Sequence, residues 1–352
     1  MKTGFWRGKR VLVLGHTGFK GAWLCLWLEA LGAEVTGFAN GLPSSPTLYE
    51  LARVEESATH VGGDVRDFGA VRDVIREHAP EIVFHLAAQP IVRLSFAEPR
   101  ETFETNVMGT VNLLEAVRLM PEVAVVVNIT SDKCYENREW EWGYREYEAM
   151  GGRDPYSSSK GCAELVTHAY RRSFFADPAG TRIATARAGN VIGGGDWGAD
   201  RLIPDIMRAV LGGTVVRVRN PQAIRPWQHV LNALSGYLDL AQAVYDDPEC
   251  AGAWNFGPVD EEARTVQWIV DHLSSAWAGG IPWEGDPGPH QPESHYLKLD
   301  SSKARSRLGW RPRWSLEDAL DQIVAWYSAL QRGDDMRAAT LGQIESFSAV
   351  EA

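Results

Sequence analysis

Tyr156 and Lys160, in the string Tyr156-Ser-Ser-Ser-Lys160, stand four residues apart, so a helix would put phenol and amine on one face. A phenol with its ordinary pKa of about 10 is a poor base at neutral pH, and a neighbouring cation favours the phenolate. The pair therefore reads as a proton acceptor for an alcohol that loses hydride. A second cluster is Asn128-Ile-Thr130-Ser131-Asp132-Lys133-Cys134-Tyr135, where a hydroxyl, a carboxyl and an amine follow an apolar run. Ligands bind beyond the C-terminal ends of strands in open α/β sheets, so these three could contact an alcohol and move two protons. Taken alone, Tyr-x-x-x-Lys is equally a solvated helix face, and Ser-Asp-Lys is equally a turn with a surface ion pair.

A third feature supplies the context. The apolar run Val11 to Leu14 leads into Gly15-His-Thr-Gly18-Phe19-Lys20-Gly21 and then a helical pattern. Glycines let the backbone approach a pyrophosphate, and the helix start adds N–H donors and partial positive charge, so this is a dinucleotide-binding turn. At the end of the second strand, where an acid often bonds the adenosine ribose, the chain has Phe38-Ala39-Asn40. Asn40 can donate and accept without charge, and no arginine replaces it, which favours NAD over NADP with a weakened grip. Asp64-Val65 suits the adenine edge; the alternative is that Asp64 caps the helix beginning near Asp67.

These residues need a scaffold, and the chain has one. Strand-like runs at Val11 to Leu14, Glu34 to Phe38, Ile82 to His85, Val123 to Ile129 and Arg182 to Ala186 alternate with amphipathic helical patterns such as Glu101 to Arg118 and Asp154-Pro155 to Phe175. That alternation predicts an α/β fold: a doubly wound parallel sheet of the Rossmann type. Beyond Gly189, frequent Gly and Pro predict a smaller, loop-rich C-terminal substrate-binding lobe. Gly279 to Pro292 is expected as loop, Tyr296 to Leu299 as a short strand and Leu316 to Leu330 as a last helix. The division is residues 1–189 for the nucleotide-binding domain with a return segment near 226–257, residues 190–225 and 258–335 for the lobe, and 336–352 for a C-terminal tail.

Composition excludes other classes. The 35 Lys+Arg against 46 Asp+Glu give a net charge of −11 without a basic block, which argues against a nucleic-acid partner. Cys25, Cys134, Cys162 and Cys250 form no close pair and no His-bearing cluster, so neither a metal site nor a disulfide framework is expected and a reducing cytoplasm fits. The apolar run after Lys9-Arg10 is too short for a signal peptide, and no stretch is long enough to span a membrane.

Together with His85-Leu86-Ala87-Ala88-Gln89, Asn106-Val-Met-Gly-Thr110 and Arg187-Ala-Gly-Asn190, these motifs resemble the extended short-chain dehydrogenase/reductase (epimerase/dehydratase) family. Finer strings, His16-Thr-Gly-Phe-Lys-Gly21, Glu139-Trp-Glu-Trp-Gly143, Gly193-Gly-Gly-Asp-Trp197, Arg225-Pro-Trp-Gln-His229 and Tyr296-Leu-Lys-Leu-Asp300, resemble its 4,6-dehydratases acting on CDP-glucose. The resemblance spans about Arg10 to Leu330. It implies oxidation at C4 of the glucose, loss of the C5 proton, departure of the C6 hydroxyl as water and return of hydride to C6 on a recycled NAD.

By the same resemblance, Tyr156 is the base at the C4 hydroxyl, Lys160 its electrostatic partner and nicotinamide-ribose ligand, and Ser131 a hydrogen bond to the C4 oxygen. Asp132 would protonate the departing C6 hydroxyl and Lys133 would act at C5. Gly15, Gly18, Phe19, Lys20, Gly21, Asn40, Asp64, Val65, Leu86, Ala87, Ala88 and Asn106 would hold the cofactor with Tyr156 and Lys160. Gln89, Asn190, Leu202, Arg225 and His229 would hold the substrate; Asn190 and Arg225 suit its diphosphate, an arginine fork matching phosphate oxygens. A homodimer would form through the helices Glu101 to Arg118 and Tyr156 to Phe175. Alternatives are an NDP-sugar 4-epimerase, a dehydratase of another NDP-hexose, and a catalytically silent sensor of NAD or a sugar nucleotide. Trp140, Trp142 and Trp197 receive no role.

Overall fold

The computed structural model describes residues 4–286, 288 and 297–350. Seven parallel strands form the central sheet: β1 (Arg10–Leu14), β2 (Glu34–Ala39), β3 (Thr59–Gly62), β4 (Ile82–His85), β5 (Val125–Ile129), β6 (Arg182–Ala188) and β7 (Gly252–Phe256). Their spatial order is β7-β6-β5-β4-β1-β2-β3. The order reverses between β1 and β4, and a ligand crevice opens at such a switch point beyond the strand ends.

Side-chain alternation along these strands builds two apolar layers, one on each face. Val11, Val13, Phe84, Val125 and Val127 enter one core, covered by α1 (Phe19–Ala30) and the long helix Val230–Asp246. Leu12, Leu14, Val83 and Val126 enter the other, covered by α2 (Phe68–His78), α3 (Gly109–Arg118) and α4 (Pro155–Ser173). With both faces covered, β1, β4 and β5 are apolar in nearly continuous runs, which is why their positions were legible.

Beyond β6 the chain makes paired short strands instead of a second large sheet. Asn190–Ile192 pairs with Trp227–His229, Ile224–Arg225 with Arg264–Thr265, and Val216–Val218 with Trp283–Gly285. The last pairing corrects the expected Gly279 to Pro292 loop: the Val216 N–H donates to the Pro282 carbonyl and continues as a parallel ladder. Residues 287 and 289–292 of that segment lie outside the described residues. So does Tyr296 of the expected strand at Tyr296 to Leu299, from which Leu299 makes one bridge to Tyr144.

The expected tail is also corrected. Helix Leu316–Arg332 is followed by another, Met336–Ala349, capped by Asp335, whose carboxylate accepts the Arg337 and Ala338 N–H groups. Met336, Ile344 and Phe347 are buried, with Phe347 edge-on to Trp27 and Trp314. Burying such an aromatic contributes roughly 1.5–3 kcal/mol to docking a helix whose own apolar pattern is weak. Among the described residues no helix is long and apolar enough to cross a membrane.

Candidate active site

The glycine turn sits at the switch point. Gly15 has φ +86, and a Cβ there would lie 2.6 Å from the Ala87 nitrogen, so only glycine lets the loops after β1 and β4 touch. A Cβ on Gly21 would fall 2.2 Å from the Gly15 carbonyl oxygen, whereas one on Gly18 would meet only that oxygen, at 3.3 Å. Two glycines thus close the turn, and the third leaves its outer side open. No side chain caps α1, whose first turn holds Phe19 and Lys20. An uncapped helix start beside an open backbone is a cradle that fits a dinucleotide's phosphates.

Thr130 to Cys134 leave the end of β5, where the Thr130 N–H donates to the Ala186 carbonyl at 3.0 Å. Ser131 accepts the Lys133 N–H and opens a short 3₁₀ turn, and its hydroxyl donates to Asp132 Oδ1 at 3.0 Å. From the facing α4, whose cap Asp154 accepts the Ser157 N–H, the Tyr156 phenol stands beside the Ser131 hydroxyl. Lys160, one turn on, directs its amine to the Ile129 carbonyl at 3.5 Å. Ser131, Asp132, Tyr156 and Lys160 are all buried. The structure therefore brings the two clusters of catalytic candidates into one place, with Lys133 half-buried at its rim.

Burial governs the charges here. It raises the Asp132 carboxyl above its usual range, opposed chiefly by the Lys133 charge and the Ser131 hydrogen bond. The Tyr156 phenol is pushed up to about 12 by burial, with the nearby Ser131 hydroxyl acting the other way. The expected depression of this phenol is thus reversed: desolvation outweighs the nearby favouring groups. Lys160 falls to about 8 by burial, partly opposed by Glu164, and Lys20 falls to about 8 through burial and the charges of Arg201 and Lys160.

Beneath the site runs a network that the sequence reading missed. Glu164, four residues beyond Lys160, accepts from Arg187 at 2.7 Å, Thr130 at 2.5 Å and Thr185 at 2.8 Å. Arg187 also donates to the Tyr135 hydroxyl at 2.6 Å, and Tyr135 donates to Asn255 on β7 at 2.8 Å. These bonds tie β5, β6, β7 and α4 together under Ser131. The spacing Lys160-x-x-x-Glu164 and the Arg187 string were the available signals.

Other site candidates find different surroundings. Asn106 lies in a π-helical turn, Glu104–Met108, between Pro99–Phe103 and α3; its amide accepts the Gln89 N–H at 2.8 Å and donates to Ser159 at 2.8 Å. The Gln89 side chain donates to Thr102 at 2.8 Å and accepts from Ile91 N–H at 2.5 Å, so it shapes the loop after β4. His229 corrects an expectation, since it does not shape an open nucleotide pocket. It is wholly buried between Trp23 and Trp314 and caps Val230–Asp246 by accepting the Leu231 N–H.

Asn190 and Arg225 open and close short strands in the lobe, and Leu202 begins the helix Leu202–Leu211. Asp64 does not cap α2, a role taken by Asp67; it accepts instead from Asn40 and Arg66. Val65 is buried in the second core. Trp197 packs edge-on against Tyr327; Trp140 stacks on Tyr144, which stacks on Tyr135, while Trp142 is exposed.

Residues 12–323 match the GDP-mannose 4,6 dehydratase family. The chain belongs to this family. Within it, the chain is 55% identical over 349 residues to a CDP-glucose 4,6-dehydratase of Salmonella typhimurium, covering 97% of both chains. It is 26% identical to a dTDP-glucose 4,6-dehydratase of Xanthomonas campestris, over 90% of this chain and 92% of that one. The fold matches that of a Streptomyces venezuelae dTDP-glucose 4,6-dehydratase, DesIV, with a TM-score of 0.77, 24% identity and coverage of 93% and 99%. It also matches a UDP-glucose 4-epimerase from Stenotrophomonas maltophila, with a TM-score of 0.81, 23% identity and coverage of 92% and 99%. The doubly wound parallel fold read from the sequence is thus the fold that these two structures share with the chain.

Proposed function

We propose that this chain dehydrates CDP-glucose to CDP-4-keto-6-deoxyglucose, with NAD as its recycled cofactor. One observation carries the choice of dehydration over epimerisation: a buried acid, Asp132, held in the protonated direction beside the Tyr156 and Ser131 hydroxyls. An epimerase has no hydroxyl to expel and needs no such proton. The choice of cytidine rests on the full-length likeness to the Salmonella protein.

In this reading Gly15, Gly18, Phe19, Lys20 and Gly21 hold the cofactor's phosphates, Asn40, Asp64 and Val65 its adenosine end, and Leu86, Ala87, Ala88 and Lys160 the nicotinamide end. Bound NAD would take hydride from C4 and return it to C6. Tyr156 accepts the proton of the C4 hydroxyl, and Ser131 holds the oxygen left there. Once C4 is a ketone the C5 proton is acidic, and Lys133 takes it as the free amine and returns a proton to C5 when hydride reaches C6. Asp132 gives its proton to the C6 hydroxyl, which leaves as water. Burial helps at both ends, since it shifts Asp132 toward its protonated form and excludes water that would quench the enolate.

A second copy of the chain is the proposed partner. Leu94, Phe96, Phe103, Met108 and Leu165 are exposed on Val92–Ala97, Pro99–Phe103, the π-helical turn and α4, an apolar surface that a matching subunit would cover. Incubation of the chain with CDP-glucose and NAD, read by mass spectrometry, tests the reaction. Loss of one water is expected, and an isomer of unchanged mass would assign an epimerase. Light scattering of a Phe96→Glu variant tests the interface, with a shift to monomer expected.

A further inference from the structure

Asn40 stands where many dinucleotide folds carry a carboxylate, and it is not alone. Its Nδ2 donates to Asp64 Oδ2 at 3.1 Å. Asp64 also receives the Arg66 fork, with Nε at 3.0 Å and Nη2 at 2.6 Å from Oδ2, while its Oδ1 accepts the Arg66 N–H at 2.8 Å. A second acid, Glu101, stands 3.7 Å from Arg66 Nη1. A carboxylate can only accept, so the amide must turn its NH₂ to Asp64 and present Oδ1 on its other side. That outward acceptor takes a hydroxyl hydrogen but repels a phosphate oxygen. Arg66, the one fork in this cluster able to grip a phosphate, is held by carboxylates.

We propose that Asp64 sets the choice of NAD over NADP at a distance, by fixing the Asn40 amide as an acceptor for the adenosine ribose and by holding Arg66 away from a 2′-phosphate. The inference rests on the cofactor reading above. Asp64 is a positioning residue in this arrangement, and the pair Asn40–Asp64 replaces the single acid that the end of β2 lacks. The arrangement also explains a substitution that would otherwise be expected to help. Asn40→Asp would set two carboxylates side by side, so it should weaken NAD unless Asp64 is neutralised as well.

Equilibrium dissociation constants of NAD and NADP, measured by titration calorimetry on the purified full chain without substrate, test this. Asp64→Asn keeps the shape, and because Asp67 caps α2 the helix start is untouched. We expect this variant to lower the ratio of the NADP to the NAD dissociation constant about tenfold, and Asn40→Asp/Asp64→Asn to restore it. Asn40→Ala should lower the ratio too, with Asn40→Ala/Asp64→Asn falling well short of the product of the single effects. If Asp64→Asn weakens both dinucleotides by the same factor, the carboxylate serves the adenine alone and the proposal is overturned. Failure of the unaltered chain to bind either dinucleotide would overturn the cofactor reading as well.

Discussion

Asp132 packs directly against the backbone of Gly189: a Cβ on that glycine would lie 2.8 Å from Oδ2 of the carboxyl. The end of β6 thereby forms one wall of the acid's pocket, opposite the Ser131 hydroxyl, 3.0 Å from Oδ1. An acid clamped from both sides is aimed, and its aim depends on a residue with no side chain.

Gly189→Ala should therefore displace Asp132 and damage the elimination without unfolding the chain. A misplacement of about 1 Å costs on the order of 100-fold in rate. The expected result is a turnover loss of that order, with unchanged circular dichroism and NAD affinity. Turnover within twofold of the starting protein would show that Asp132 tolerates the shift.

Tyr156→Phe removes the proposed proton acceptor and almost no volume. Turnover should drop by at least about 100-fold, the usual contribution of a positioned base, while substrate and NAD still bind. Burial holds the phenol up at about 12, so catalysis by the unaltered chain should rise with pH up to the phenol's value in the bound complex. Near-normal turnover of Tyr156→Phe would remove the phenol from the mechanism.

The proposed role of Lys133 is transfer of the C5 proton. In a single turnover in D₂O, Lys133→Ala should still reduce NAD but incorporate almost no deuterium at C5. Incorporation at the rate of the unaltered chain would mean that Lys133 only stabilises the enolate while another group takes the proton.

The Glu164–Arg187 pair is closed from solvent, each side chain being 4% exposed. Glu164→Leu would leave the guanidinium buried without its carboxylate, at a cost of about 3–5 kcal/mol. Urea unfolding should register that loss. The double variant Glu164→Leu/Arg187→Met should recover much of it, and failure to recover would mean that the hydrogen bonds to Thr130, Thr185 and Tyr135 matter more than the charges.

Three buried histidines set the acid limit. Burial lowers His16 to about 4 and His85 and His229 to about 3, while the unfolded chain titrates near 6.5. Between those values the unfolded state binds protons that the folded state refuses, so stability falls as pH drops below about 6.5. Glu164, held low by Arg187 and its hydrogen bonds, adds a loss in the same direction further down, as pH falls through the carboxylate range. The melting temperature should decline steadily from pH 7 to pH 5. A flat profile there would place these imidazoles in contact with water.

The sequence by itself determined the elements and their chemistry. Five strands could be placed because a sheet covered on both faces demands unbroken apolar runs, and Tyr156 and Lys160 were paired because helical geometry is local. The glycine turn was legible for the same reason. What only the tertiary structure decided depends on neighbours distant in the chain. Gly189 became a wall of the Asp132 pocket because β6 lies beside β5, and Glu164 met Arg187 because α4 packs onto β6. His229 went into the core because Trp23 and Trp314 close over it, and residues 336–349 became a helix because Trp27 and Trp314 offered Phe347 a place. The direction in which Tyr156 shifts was undecidable from composition, since it is a contest between desolvation and local charge, and desolvation is set by everything packed around the phenol.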